Sequence, residues 1–300
     1  MRIGLYVGQA PGVTEALAEV RAAAQARLDS AFFSQVFRWD ALTVAALAGQ
    51  CAPDIELGTA VVQTYPRHPI ALATQALTVQ AATGNRFTLG IGPSHAAVIE
   101  GQFGLAYDRP ALHTREYLSA LMPLLRGEPV DHRGETLRTK AEITVPGATP
   151  PPVLVSALGP VMLRTAGELA DGTVTVWATP RTIAEHVRPR IEEAAAAAGR
   201  RAPRIVAGVP ACVTTDPEGV RAGVAAQLGP ASQLPAYRTL LDRQGMSGVH
   251  ETVLAGDEDT VAAGIRAFAA AGATDLLVSR VGDATEKART LELLSRIRHR

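Results

Sequence analysis

"RFTLGIGPSH" spans Arg86–His95. Phe87, Thr88 and Leu89 favour a strand, and the run then gives up side chains at Gly90 and Gly92 before turning at Pro93-Ser94-His95. Glycine weakens a strand, so two glycines at a strand's end imply that something comes close to the backbone there. The stretch also sets a rhythm. It is the fourth of a series of short apolar runs, each followed by a segment of helical spacing.

Before it lie "RIGLYVG" (2–8), "SAFFSQV" (30–36) and "IELGTAVVQ" (55–63). Between them are helical stretches: "TEALAEVRAAAQARL" with Thr14 as the expected N-cap, "DALTVAALAGQC", and "PIALATQALTVQAAT" with Pro69 in its first turn. After it come "PVLVSAL" (152–158), "DGTVTVW" (171–177), "RIVAGVPACVT" (204–214) and "TDLLVSRVG" (274–282), again alternating with helices. Eight apolar strands separated by helices predict an α/β fold of the (β/α)8 barrel type in one domain over residues 1–300. Insertions are expected at about 96–150, polar with short β-like pieces, and at about 217–250, helix-rich with a break at Gly229-Pro230.

A chain of 300 residues with 47 % hydrophobic content can bury a core of that size. Formal net charge is zero and only 4 % of residues are aromatic, so neither a nucleic-acid surface nor a polybasic membrane tail is indicated. Cys51 and Cys212 are the only cysteines and sit far apart, which indicates neither a disulfide framework nor a thiolate metal site. The first residues are too polar for a signal peptide and no apolar run reaches a membrane span. A cytoplasmic protein acting on a small molecule is the expectation.

In such a barrel the active site lies at the C-terminal ends of the strands. That rim contains Tyr6 to Gly8, Ser34 to Trp39, Ala60 to His68, Gly90 to His95, Ser156 to Val161 and Val176 to Thr179, with Cys212 to Thr214 and Ser279 to Gly282. It holds no lysine for a Schiff base, no His-x-His or other metal-ligand spacing, and no pair of carboxylates. It offers glycines, small residues, amides and a few aromatics. "GIGPSH" and "SALGP" can each present backbone N–H groups to a phosphate or a polar ring, or can be tight turns with no ligand. His68 beside Pro69 reads as a cap, and Arg67 as an ion-pair partner.

"LGTAVVQTYPRHP", "NRFTLGIGPSH" and "VLVSALGP…AGELADGTV", in that order, resemble the luciferase-like monooxygenase superfamily, and more narrowly its coenzyme F420-dependent oxidoreductase branch. The resemblance covers most of the chain. It implies a luciferase-like (β/α)8 barrel, commonly homodimeric, with a non-prolyl cis peptide backing the deazaflavin ring at Ala60–Val61. It implies cofactor contacts at Gly90, Gly92, Pro93, Ser94 and His95, and at Ala157, Leu158, Gly159, Pro160 and Val161. It also implies hydride transfer between F420 and a small organic substrate, most simply as a reductase.

The glucose-6-phosphate dehydrogenase members of that branch carry an Asp-His pair where this chain has Gln35 and Val36, and a glutamate where it has His95. Sugar-phosphate oxidation is therefore not expected. Gln35 can hydrogen-bond a ring carbonyl, His95 can serve as acid/base, cap or phosphate donor, and Tyr6 can donate to a bound carbonyl. Trp39 and Trp177 can wall the substrate pocket or pack in the core. An FMN-dependent monooxygenase and a non-catalytic F420- or flavin-binding protein are the alternatives.

Overall fold

The computed structural model describes residues 1–8, 10–35 and 37–298. Twelve strands occur among them: β1 (Arg2–Val7), β2 (Ser30–Phe33), β3 (Glu56–Thr59), β4 (Val62–Gln63), β5 (Phe87–Gly92), β6 (Val130–Arg133), β7 (Arg138–Ala141), β8 (Val153–Ser156), β9 (Gly172–Val176), β10 (Arg204–Val213), β11 (Leu254–Gly256) and β12 (Asp275–Arg280). Eight of them, β1, β2, β3, β5, β8, β9, β10 and β12, pair in parallel in that order. The ring closes where β12 meets β1, with Arg2 opposite Asp275 and Leu5 opposite Val278. This is the (β/α)8 barrel that the eight apolar runs predict. Continuous apolar strands belong to it because both faces are covered, one by the barrel's filling and the other by the helical shell.

The filling is layered. At the N-terminal end of the strands Arg204 reaches Glu56 (2.8 Å) and Asp275 (2.6 Å), and Arg2 pairs with the same two carboxylates. Above that charged plug lie Phe32, Ala60, Leu154, Val174, Val206 and Leu277, all buried. Burying a side chain such as Phe32 is worth about 1.5–3 kcal/mol, so this layer supplies a substantial share of the barrel's cohesion. The larger apolar core lies between strands and helices.

Local signals account for most helix ends. Asp40 caps the helix Ala41–Cys51 by accepting from the Thr43 N–H, and His68 caps Pro69–Ala82 by accepting from the Ile70 N–H. Two expectations need correction. Thr14 lies inside the first helix, Val13–Gln25, which starts one residue earlier after Gly12 with no side-chain cap. The helix Pro217–Ser232 runs through Gly229-Pro230; Pro230 sits in its last turn, where the one backbone hydrogen bond it removes does not interrupt a longer helix. The break falls at Leu234, extended (φ −61°, ψ 136°) ahead of Pro235, which opens the next helix, Pro235–Gln244.

The third predicted strand is split. Between β3 and β4 the Ala60–Val61 peptide is cis, at the position the family resemblance implies. Within residues 96–150 the structure has a short helix, Ala96–Ile99, a shell helix, Pro110–Leu125, and the antiparallel hairpin β6–β7.

Candidate active site

The C-terminal ends of the strands open into a cavity of about 460 Å³. Its floor is made by strand ends: Tyr6 from β1, the Ala60–Val61 pair, Gly92 at the end of β5, Ser156 at the end of β8, and Val174 and Val176 from β9. Its side wall is the turn Pro93-Ser94-His95 with Tyr107, and Leu158-Gly159. Trp177 and the helix pair 217–232 and 235–244 form the roof, the pair through Ala231, Leu234, Ala236 and Tyr237.

The two glycines of the opening stretch have different reasons to be glycine. A Cβ on Gly90 would sit 1.9 Å from the Thr59 carbonyl oxygen, and the Thr59 hydroxyl accepts from the Gly90 N–H (2.9 Å) and donates to the Gly90 carbonyl (2.8 Å). What approaches Gly90 is the neighbouring strand where it bends into the cis bond, and Gly90 does not reach the cavity. A Cβ on Gly92 would meet the Val61 Cγ2 at 3.0 Å and the Ser156 Cβ at 3.1 Å, both on the cavity floor. Gly92 therefore keeps that floor open.

Of the other sequence candidates, Tyr6, Gln35, Ala60, Val61, Pro93, Ser94, His95, Leu158, Gly159 and Trp177 line the cavity. Ala157 is fully buried behind the wall. Pro160 and Val161 start the helix Pro160–Leu169, and Val161 is 55 % exposed outside it. Trp39 is buried in the core, edge-on to Phe33 at 6.0 Å, with its indole N–H toward the Ala10 carbonyl (3.4 Å). It does not wall the pocket. Val36 lies outside the described residues.

The polar groups are few and mostly committed. Gln35 accepts through its side-chain oxygen from the Ala41 N–H (3.0 Å) and from Arg67 (3.4 Å), and its amide nitrogen donates to the Trp39 carbonyl (3.4 Å). That amide ties a loop to a helix start at the cavity's edge. Arg67 pairs with Asp40 at 2.7 Å, a structural role as expected. The Tyr6 hydroxyl is hydrogen-bonded with Ser34, and burial raises its pKa. His95 stands at the N-cap position of Ala96–Ile99 but its ring makes no capping bond; burial lowers its pKa, so it is neutral near pH 7. Its ring lies 4.9 Å from that of Tyr237, which in turn lies 4.4 Å from Trp177.

The roof is pinned by side chains that sequence reasoning did not single out. Gln244 accepts from the Thr179 N–H (2.7 Å) and the Thr182 hydroxyl (2.9 Å) and donates to the Trp177 carbonyl (3.1 Å), holding Trp177 at φ +61°. His186, in a π-helical turn over Ile183–Val187, is 2.8 Å from the Leu158 carbonyl and 3.2 Å from Arg243. A carbonyl only accepts and a guanidinium only donates, so His186 is neutral with its proton on Nε2. Tyr107 donates to the Ser94 carbonyl at 2.9 Å, steadying the turn in which Ser94 has φ +66°. Tyr107, Tyr237 and Gln244 lie in segments with no strand rhythm, so nothing in the sequence marked them.

Among the described lining residues there is no Asp, Glu, Lys or Arg, and among the described residues no three His, Cys, Asp or Glu side chains gather as a metal site. No helix is long and apolar enough to cross a membrane.

The profile of the luciferase-like monooxygenase family matches residues 1–275. This chain belongs to that family. A putative coenzyme F420-dependent oxidoreductase of Mycobacterium tuberculosis is 31 % identical over 245 residues, 75 % of this chain and 70 % of its relative. The 5,10-methylenetetrahydromethanopterin reductase of Methanopyrus kandleri is 27 % identical over 290 residues, 82 % of each chain. The solved structure of the coenzyme F420-dependent tetrahydromethanopterin reductase from that organism superposes with a TM-score of 0.83 at 23 % identity, covering 98 % of this chain and 97 % of the other. The FMN-bound oxygenating component of 3,6-diketocamphane monooxygenase from Pseudomonas putida gives 0.79 at 18 % identity, over 98 % and 96 %. These two structures share the luciferase-like barrel. Relatives of this luciferase-like chain thus include users of either ring cofactor, and the chain is an oxidoreductase of the luciferase-like family.

Proposed function

We propose that this luciferase-like protein is a coenzyme F420-dependent oxidoreductase that moves a hydride between the deazaflavin and a small organic substrate, working as a reductase. The observation that carries the reading is a largely apolar cavity with no charged side chain among its described lining residues. F420 bears its phosphate as a diester with one negative charge. FMN bears a monoester, close to doubly charged at neutral pH. Burying the second charge without a cation is costly, so the uncharged wall suits the diester better. The helix Pro160–Leu169 begins at the cavity's edge with no side-chain cap, leaving the N–H groups of Val161 and Met162 to meet that single charge.

The residues present fit the group. Val61 and Ala60 would back the ring, Gly92 leaves it room, and Leu158-Gly159 would flank its tail. When bound, the coenzyme supplies two-electron hydride chemistry at ring carbon C5. The chain's own part is to hold the substrate over that carbon and to manage water and protons. Trp177 and Tyr237 close the roof against water. His95, neutral and facing the cavity, can take a proton at the substrate. The same reading carries a homodimer, which a mass measurement in solution checks.

Titration of the purified protein with F420 and with FMN, followed by fluorescence, tests the proposal. F420 binding at least tenfold tighter supports it. The reverse preference makes the chain an FMN-dependent monooxygenase, and binding of neither removes the ring site from this cavity.

A further inference from the structure

The roof is chemically simple. Of the four residues that the helix pair 217–232 and 235–244 brings to the cavity, Ala231, Leu234 and Ala236 carry no polar side-chain atom and Tyr237 carries one. The Tyr237 ring is wedged between Trp177 at 4.4 Å and His95 at 4.9 Å, which fixes where its hydroxyl can point. That hydroxyl has no hydrogen-bond partner among the described residues, whereas the hydroxyls of the neighbouring tyrosines are engaged: Tyr6 with Ser34, Tyr107 with Ser94. Tyr237 is half-buried and lines the cavity, so its hydroxyl is open to whatever the cavity holds. A donor on the roof of a mostly apolar cavity, with no acceptor among the described residues, therefore offers a place for a ligand's acceptor, alongside the Ser94, His95 and Ser156 side chains that also line the cavity.

We propose that the cavity takes an uncharged, largely apolar substrate bearing one oxygen acceptor, a ketone or aldehyde attached to a ring or short chain, and that the Tyr237 hydroxyl donates to that oxygen while Trp177 covers the apolar part. This rests on the cofactor reading above, which leaves the roof side of the cavity to the substrate. The lining explains the exclusion as well as the choice. A carboxylate, phosphate or ammonium substrate would lose its hydration with no opposite charge among the described lining residues to replace it. Burial also raises the pKa of Tyr237, so the phenol keeps its proton, and hence its donor, throughout the neutral range.

The test uses acetophenone, ethylbenzene and benzoate, which share a phenyl ring and differ in the acceptor and the charge. Each is titrated into the protein, with and without F420, and followed by ligand-observed NMR and by tryptophan emission in a Trp39→Phe background, which leaves Trp177 as the emitter. Acetophenone should bind and benzoate should bind more than tenfold more weakly. Tyr237→Phe should weaken acetophenone about five- to tenfold, the value of one hydrogen bond, and leave ethylbenzene within about twofold, while F420 affinity stays unchanged.

Equal loss for acetophenone and ethylbenzene would mean that Tyr237 only shapes the roof. Benzoate binding as well as acetophenone, or no binding of acetophenone, would overturn the substrate class. A fall in F420 affinity with Tyr237→Phe would place the phenol against the cofactor. If F420 fails to bind while acetophenone behaves as stated, the cofactor reading fails and the neutral-acceptor site stands.

Discussion

Alanine at Gly90 and alanine at Gly92 should do opposite things, although the two residues are neighbours on one face of one strand. At Gly90 the new methyl would lie 1.9 Å from the Thr59 carbonyl oxygen, a backbone atom that can move away only if β3 moves. Overpacking of this kind costs about 1–3 kcal/mol. The shift would also stretch the two hydrogen bonds between Gly90 and the Thr59 hydroxyl, worth about 1 kcal/mol each. A total of about 3–5 kcal/mol corresponds to a fall in Tm of roughly 6–10 °C for a chain of this size. At Gly92 the methyl meets two side-chain carbons at 3.0 and 3.1 Å, which can yield by a few tenths of an ångström for about 1 kcal/mol. It then stands on the cavity floor, where a planar ring has to lie. Gly92→Ala should melt within about 4 °C of the parent and bind F420 at least tenfold more weakly. Thermal melts and a fluorescence titration on both variants read the two effects. A Gly92→Ala protein that binds F420 normally would refute the floor assignment. A Gly90→Ala protein with an unchanged melting temperature would refute the account of Thr59.

Three further outcomes follow from side chains around the barrel. His113 is buried against Tyr65 (ring centroids 3.9 Å apart) and 3.0 Å from the Thr64 hydroxyl; burial pulls its imidazole down to about 4, against the opposing pull of Glu116. Its folded-state pKa is depressed below the usual 6.5, so its contribution is complete above pH 6.5 and is lost as pH falls toward 4, by up to about 3 kcal/mol. Urea melts between pH 7 and 4 should show this slope, and His113→Gln should flatten it. Arg204→Met should cost about 2–4 kcal/mol in urea unfolding, because among the described residues Arg2 is then the one cation left to pair with Glu56 and Asp275 in the barrel's base; an unchanged midpoint would deny that plug its role. Gln244→Ala should strand the Thr179 N–H and release Trp177, seen as a loss of about 2 kcal/mol and, in a Trp39→Phe background, a drop in the steady-state anisotropy of tryptophan emission; anisotropy equal to the parent's would show that the turn holds itself.

The floor of the site was legible in the sequence and its roof was not, for a physical reason. Each floor residue lies at the end of an apolar strand, and parallel pairing puts the ends of eight such strands on one rim. Finding the runs therefore finds Tyr6, Gly92 and Leu158 together, and the resemblance adds the bond at Ala60–Val61. Local chemistry also gave His68 as a cap and Arg67 as an ion-pair partner, and the structure supplies Asp40 as the carboxylate it pairs with. What such reasoning cannot resolve is a choice made by packing at the scale of one side chain. Gly90 and Gly92 look alike in "LGIG", yet the chain's bend after Thr59 crowds one and leaves the other facing the cavity. Trp39 and Trp177 both follow strands, but Trp39 packs against Phe33 while Trp177 is turned inward at positive φ by Gln244, sixty-seven residues away.

Tyr237 is the extreme case. It sits in a helix whose own pattern says only that Leu240 and Leu241 are buried, and its position over the cavity depends on the Gln244 and His186 contacts that dock that helix. Such contacts are long-range and polar, so no period or motif announces them. They also decide what the barrel's mouth admits. A floor built on strand ends can be common to many barrels of one family, while a roof carried on an inserted helix pair can change its single donor without disturbing a strand. Specificity in this chain should accordingly be found by substitutions between Ala231 and Tyr237, and cofactor choice by substitutions at the strand ends beneath them.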